Sequence, residues 1–504
     1  MGLDQVRCFF LAKSAFSPRN YRILLICLVA LGLALQVRHL LSNRSLWLDE
    51  AFLSLAVLQR SLSNILSLPL PYEQTPPPLF LVLVKILTNF LGTSEIVLRS
   101  IPFMSSALTL CLFPMLSRKH SQSSLLVGTF LLAFSYGSIY YAAEFKPYST
   151  EALLSVLFIL AGISFSQGGP IKHPFGWGLV FVIAPWLGLT TVFMLAGVGG
   201  GLLFAQMTSG AKQPRKGWAL LTVGFVSLLA MFVCYALPAS QTQLRMDYWK
   251  TFEAPLPNSL QAVVWYGERA ALILCHFFGL HSPWQGAALF GLAAIGGFAL
   301  LKRDPAYGLV LVLPIAAAVL LSLAGKFPLH ERLLVFTLPI CCLLLAEGST
   351  VLGTRLALRW PVAYWLPVAA LLGVLARPVA AMVLDPGILE HQEFKKISEE
   401  ILQRSLPGDA VFVFQAAVPI WQYYSQRDPR IAKFHPLTVI RGNQASLQEA
   451  ERTVQAAGHG WVIFVHLQRP EERQLEKDFE DSGALRMRMA VKGAWAFAFD
   501  VKSE

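Results

Sequence analysis

Charge is scarce in this chain: Asp, Glu, Lys and Arg make up 14% of its 504 residues, against roughly 25% in soluble domains. With 55% hydrophobic residues and a mean hydropathy of +0.55, this scarcity excludes an ordinary soluble globular protein and describes a polytopic membrane protein. Cysteine offers no framework. Cys8 lies in the N-terminal tail, and Cys27, Cys111, Cys234, Cys275, Cys341 and Cys342 fall in or beside hydrophobic segments, none at metal-ligand spacing. A glycine-rich phosphate loop is also missing, since Gly458 and Gly460 around His459 precede a strand instead of joining a strand to a helix. Arg7, Lys13, Arg19 and Arg22 precede an apolar run as in a signal peptide, but no small-residue cleavage site follows Leu41, so the segment reads as a retained anchor. The net charge of +11 gathers on no basic face interleaved with aromatics, which argues against a nucleic-acid partner. Basic residues in short loops between apolar runs are a topology signal.

What is present is a succession of apolar runs. At about 20 apolar residues per crossing, with Lys and Arg kept in the cytoplasm, about eleven spans follow: 23–41, 96–116, 123–142, a return to Lys172, two shorter crossings within 175–206, then 218–237, 284–301, 306–323, 333–352 and 361–383. The stretch 76–91 is short, opens with three prolines and contains Lys85, and it reads as a helix lying at the outer face. The N-terminus is then cytoplasmic and the C-terminus external, in a bacterial inner membrane by expectation. Residues 1–22 form a cytoplasmic tail, 23–384 the transmembrane domain with outer loops at 42–95 and 238–283, and 385–504 an α/β domain outside the membrane. The second outer loop is unusually long and carries Tyr248, Trp249, Trp265 and Tyr266. In the last domain the pattern predicts helices over 390–404, 446–457 and 471–481 and strands over 410–414, 461–466, 485–491 and 494–501.

This topology brings three polar clusters to the outer side: Asp49 with Glu50, Glu144 with Lys146 and Tyr148, and His330 with Glu331 and Arg332. Such a set suits attack by an acceptor hydroxyl on a sugar attached to a phosphate, a carboxylate taking the proton while Lys and Arg hold the leaving phosphate. Each cluster also has a plainer reading. Asp49 and Glu50 suit the first turn of an outer helix beginning near Ala51. Lys146 suits a cation snorkelling to headgroups and Tyr148 an aromatic belt. Glu331 and Arg332 suit a salt-bridged pair at a helix start, with His330 a solvated loop residue. Arg99 has the i,i+4 spacing to pair with Glu95. Gln74, ahead of Pro76, Pro77 and Pro78, serves either a turn or an acceptor or lipid pocket, with Glu73 beside it.

In this order the motifs resemble the polytopic C-type glycosyltransferases that use lipid-linked sugars, the superfamily of protein O-mannosyltransferases and aminoarabinose transferases. The likeness covers about residues 23–383: Trp47, Asp49 and Glu50; then Gln74, Pro76, Pro77 and Leu79; Arg99 with Pro102; Glu144, Lys146, Pro147 and Tyr148; and Phe327, Pro328, Arg332 and Pro339. The resemblance implies an α-helical polytopic fold with outer juxtamembrane helices. It also implies inverting transfer from a polyprenyl-phosphate-linked sugar donor to an external glycan, lipid or protein acceptor by a monomeric enzyme. Asp49 would be the base with Glu50 in support, Lys146, Tyr148, His330 and Arg332 would contact donor phosphate or sugar, and Glu73, Gln74, Arg99 and Glu144 would line an acceptor or lipid pocket. One departure is Glu331, where relatives often have Gly, a carboxylate able to neutralise Arg332. A divalent metal is left open, Asp49, Glu50, Glu73 and His330 having suitable donor atoms.

Two other functions compete. A flippase for a lipid-linked sugar would show internal repeats and broken helices near the midplane, for which the Gly197 to Gly201 run is the best sign. A third reading makes the C-terminal domain the working module, against which stands its lack of an evident polar constellation.

Overall fold

The structure is a computed structural model and describes residues 17–70, 72, 74–166, 173–209, 215–241, 247–437, 444–465, 474, 477, 480–481 and 485–500. The chain divides into two compact units. The first comprises Met1–Leu41, Thr75–Val84 and Arg99–Pro386, and the second Ser42–Gln74, Lys85–Leu98 and Gly387–Glu504. The stretches that the sequence assigns to the first outer loop thus fall largely in the same unit as the C-terminal residues.

The first unit is a helical membrane body. Among the described residues nine helices are long and apolar enough to cross a bilayer, and the pair Gln122–Phe134 and Tyr136–Ala142, bent by 46°, makes a tenth. The bend has a local cause: Ser135 ends one helix and restarts the next, its Oγ accepting the Ser138 N–H at 3.1 Å. Pro174–Leu187, a shorter apolar helix of 14 residues, lies where one of the two shorter crossings is expected. The expected return to Lys172 is helical through Ser166, and residues 167–172 lie outside the described residues. The helix Pro78–Leu91 has 14 residues, about 21 Å, short of a roughly 30 Å hydrocarbon core.

Small residues let these helices approach closely, as expected where lipid removes the hydrophobic drive between helices. A Cβ on Gly296 would lie 2.0 Å from the Leu344 carbonyl oxygen, and one on Gly348 2.0 Å from that of Leu292, so the helices Pro283–Arg303 and Leu338–Ala357 touch backbone to backbone. Gly197 and Gly201 do the same against Val310 and Ala306. Their helix runs unbroken from Thr191 to Ser209, so the glycine run is a crossing point and not the broken helix of a transporter.

Span ends that the charge rule places in the cytoplasm meet in a polar network around the buried His120 and Glu347. Lys119 pairs with Asp304 at 2.5 Å, His120 reaches Glu347 at 3.3 Å and the Tyr307 hydroxyl at 2.8 Å, and Arg303 pairs with Glu347.

The segment expected as a long outer loop, 238–283, holds a short 3-10 turn, Asp247–Phe252, and a 19-residue helix, Leu260–Phe278. Ser259 caps the start by accepting the Ala262 N–H at 3.2 Å. Gly279, at φ +66°, ends the helix in the left-handed conformation glycine tolerates. Buried Ala271, Leu274, Cys275 and Phe278 repeat at helical spacing, a signal outweighed in the sequence by the polar residues between them.

The second unit contains a five-stranded sheet in the order β2-β1-β3-β5-β4, with β1 Ala410–Phe414, β2 His435–Leu437, β3 His459–Val465, β4 Leu485–Val491 and β5 Ala494–Asp500. Strands β2, β1 and β3 run parallel, and β5 and β4 follow antiparallel. Phe412, Phe414, Val462, Phe464, Phe497 and Phe499 build the core with Val454. Gly460 is required where β3 meets β1, since a Cβ there would lie 2.0 Å from the Ala410 carbonyl oxygen. The expected strands and the helix ending at Ala457 are present, while the expected 390–404 helix begins only at Phe394. The helix Val418–Ser425 and strand β2 are additions. The expected helix 471–481 and His466 lie largely outside the described residues.

Candidate functional site

In the second unit Asp49 and Glu50 sit in the first turn of the helix Leu48–Gln59, where the helix dipole favours acidic groups. The helix forms because Ala51, Leu53, Leu55, Ala56 and Val57 are buried. The two carboxylates differ. Glu50 is 0% exposed, and its Oε2 accepts the Trp47 N–H and an Arg44 guanidinium N–H, both at 3.3 Å. It therefore does the capping work that the plainer sequence reading assigned to the pair, and it neutralises Arg44, itself 1% exposed. Asp49 is half-buried. Gln74 donates to the Tyr72 carbonyl at 3.3 Å, a turn contact, and the Tyr72 ring stacks on Phe52 at 4.4 Å. Glu73 lies outside the described residues. Glu95, which the spacing pairs with Arg99, accepts from Lys395 at 3.4 Å, Tyr424 at 3.2 Å and Arg427 at 3.4 Å.

In the first unit Glu144 and Lys146 lie in the link between the helices Tyr136–Ala142 and Tyr148–Ser166. Both are buried, Lys146 at 8% exposure, which is not the posture of a cation reaching for headgroups. The Tyr148 ring meets Tyr141 edge-on at 5.3 Å, and the Tyr141 hydroxyl hydrogen-bonds His276 Nε2 at 2.7 Å. His276 belongs to the helix Leu260–Phe278, outside the nine spanning helices. Burial, aided by the positive charge of Arg332, pushes its imidazole down to about 4, so the ring is neutral at pH 7. Tyr148 is thus joined through Tyr141 to His276, two residues that sequence reasoning missed, and the charge of Arg332 is felt at His276.

His330 caps the 3-10 turn Glu331–Thr337, its Nδ1 facing the Arg332 N–H at 3.4 Å. Its ring packs on Phe252 at 4.5 Å. The Arg332 guanidinium lies over Trp249 at 5.1 Å, a cation-π contact. Glu331, the departure from the family pattern, faces Arg269 at 3.6 Å and His330 at 3.1 Å. Arg269 in turn lies over Phe252 at 5.0 Å and Trp265 at 5.2 Å. A second guanidinium thus serves the carboxylate that was expected to neutralise Arg332. Arg99 is buried at 1% exposure immediately before the helix Ser100–Leu112.

Among the described residues no group of three or more His, Cys, Asp or Glu side chains is placed to hold a metal ion. The C-terminal sheet does hold a polar cluster that the sequence did not reveal. The buried Asp409 carboxylate accepts from the Leu406 N–H at 2.9 Å, His459 Nδ1 at 2.7 Å, Trp461 Nε1 at 3.2 Å and Arg486 at 3.4 Å. Burial raises its pKa, but the Leu406 N–H, His459 and Arg486 outweigh that and hold it below the usual carboxylate range.

No family model matches the sequence, and no curated protein matches it. Solved structures do. The structure of ArnT from Cupriavidus metallidurans bound to undecaprenyl phosphate aligns at a TM-score of 0.52 and 11% identity, over 94% of this chain and 97% of that one. The apo form of the same protein aligns at 0.52 and 12%, over 94% and 98%. A lower likeness, TM-score 0.42 and 13% identity over 88% of this chain and 69% of that one, is to the oligosaccharyltransferase AglB from Archaeoglobus fulgidus with an inhibitory peptide and a dolichol-phosphate. The chain is an integral membrane protein with the polytopic C-type glycosyltransferase fold, ending in a small sheet domain.

Proposed function

We propose that the protein is an inverting glycosyltransferase that moves a sugar from a polyprenyl-phosphate carrier to a glycan, lipid or protein acceptor on the outer face of the membrane. The observation that carries this reading is the separation of duties between two adjacent carboxylates: Glu50 is consumed by Arg44 and the helix cap, while Asp49, next to it, stays half-buried in the first turn of the same helix. The fold supports the same reading, since it is shared with a protein solved with undecaprenyl phosphate bound.

In this mechanism Asp49 takes the proton of the acceptor hydroxyl as its oxygen attacks the anomeric carbon. The bond from that carbon to the phosphate oxygen breaks, and the electron pair leaves with the polyprenyl phosphate. Lys146 and Arg332 stabilise the charge that develops there, Arg332 by a planar fork, and Tyr148 and His330 contact phosphate or sugar. Glu144, Arg99, Gln74 and Glu73 are proposed for the acceptor or lipid pocket. The membrane is the bacterial inner membrane, with the N-terminus inside and the C-terminal domain outside.

The test uses the full-length protein reconstituted in vesicles with radiolabelled polyprenyl-phosphate hexoses, pentoses and amino sugars and with extracted envelope acceptors. Wild type transfers label with inversion at the anomeric carbon, and Asp49→Asn lowers kcat by about 10²- to 10⁴-fold. Undiminished transfer by Asp49→Asn removes the base assignment. Movement of labelled carrier across the bilayer without any transfer makes the protein a flippase instead.

A further inference from the structure

We propose that Gln392, with Glu393 and Tyr424, positions the helix that carries Asp49, so that the C-terminal segment is part of the catalytic apparatus and not an independent module. The inference rests on the reading of Asp49 as the base.

The helix Leu48–Gln59 has a defect at its start. Its N-cap residue is Trp47, whose side chain has no oxygen to accept from the first amides of the helix, the task that Ser, Thr, Asp or Asn normally performs. Acceptors for the first amide of the helix and for amides just ahead of it come from far along the chain. The Leu48 N–H donates to Gln392 Oε1 at 2.9 Å, and the Leu46 N–H to the Tyr424 hydroxyl at 3.0 Å. The Ser45 N–H and hydroxyl both donate to Glu393 Oε2, at 3.3 and 3.2 Å. Together with the Trp47 N–H on Glu50, every backbone N–H from Ser45 to Leu48 ends on a side chain, three of them from the C-terminal segment.

The hold is buried. Gln392 is 2% and Glu393 0% exposed. The Ser45 hydroxyl accepts the Lys395 N–H at 3.0 Å, Lys395 Nζ donates to the Asn43 carbonyl at 2.7 Å, and the Trp47 ring stacks on His391 at 4.8 Å. All of these residues belong to the second unit.

Leu48 directly precedes Asp49, so the Gln392 bond fixes the backbone at the proposed base. A general base works only within hydrogen-bond reach of its proton, and a misplacement of about 1 Å can cost on the order of 10²-fold in rate. A capping side chain here therefore acts on kcat through Asp49 without touching substrate.

Three variants of the full-length protein test this in the transfer assay. Gln392→Met keeps length and volume but removes the acceptor. Gln392→Glu restores a carbonyl-like oxygen, and Tyr424→Phe removes one hydroxyl. We expect Gln392→Met to lower kcat by about 10- to 100-fold with donor KM changed less than about twofold, and Gln392→Glu to recover most of the rate. Tyr424→Phe should give a smaller loss, again in kcat, and it carries the test by itself if Gln392→Met does not accumulate in the membrane. Wild-type kcat in both Gln392→Met and Tyr424→Phe, a loss seen as raised KM, or a Gln392→Glu variant as slow as Gln392→Met would overturn the positioning role. If Asp49→Asn is slowed as expected while Gln392→Met and Tyr424→Phe are both fully active, only this inference fails. If Asp49→Asn is fully active, the base assignment fails and the positioning role with it.

Discussion

At the scale of single residues, the sequence offered Asp49 and Glu50 as one pair with two uses, and burial gives the structural use to Glu50. A buried carboxylate that neutralises a buried guanidinium is structural in consequence whatever else it does. Removing one partner of such a pair leaves an uncompensated charge and costs about 3–5 kcal/mol. Glu50→Ala should therefore lower the midpoint of thermal unfolding of the purified protein sharply, whereas Asp49→Asn should leave it nearly unchanged while slowing transfer. Equal midpoints for the two variants would contradict the division. Glu331 teaches a related lesson. Next to Arg332 in sequence it reads as a quencher, but Arg269, 62 positions earlier, faces it at 3.6 Å. No spacing rule connects 269 to 331, since the two meet only because the Leu260–Phe278 helix folds back over the Glu331–Thr337 turn.

At the scale of elements, the spans were legible because each is a long apolar run, and the strands β1, β4 and β5 because their apolar residues are bounded by turn signals. The helix Leu260–Phe278 was not, because its apolar face is diluted by Arg269 and Glu268 and its caps, Ser259 and Gly279, are common loop residues. The glycine run at Gly197 looked like a weakness and is a packing surface. The polar cluster at Asp409 gathers residues from β3 and β4 onto the residue before β1, a meeting that needs the sheet order to exist. Because its folded pKa is depressed, Asp409 contributes stability that is complete above the unfolded carboxylate pKa near about 4 and is lost as pH falls through the lower, folded value. Thermal midpoints of wild type should drop as pH is lowered below about 4, and Asp409→Asn should show a lower midpoint at pH 7 with a flatter acid limb. An unchanged acid limb in the variant would exclude that contribution.

At the scale of the whole molecule, the charge rule predicts a reporter fused after Lys119 to read cytoplasmic and one after Lys326 to read external. The pairing of Lys119 with Asp304 and of Arg303 with Glu347 ties together two span ends that the rule puts on one side, so the two reporters must at least disagree. A shared reading from both would remove the topology on which the outer placement of Glu144, Lys146 and Arg332 depends. The flippase alternative loses its best support with the unbroken Thr191–Ser209 helix. The view of the C-terminal domain as a separate working module is weakened by the bonds from Gln392, Glu393 and Tyr424 to residues 45–48.

The sequence by itself determined the class of protein, the spans, most strands of the terminal sheet and the polar residues worth testing, because hydropathy, charge and turn chemistry are properties of neighbouring residues. Only the tertiary structure decided which of two adjacent carboxylates is structural, which guanidinium serves Glu331, and that the first amide of the Asp49 helix is held by a side chain 344 residues away. Those outcomes depend on burial and on hydrogen bonds between distant segments, and neither is encoded at any fixed spacing along the chain.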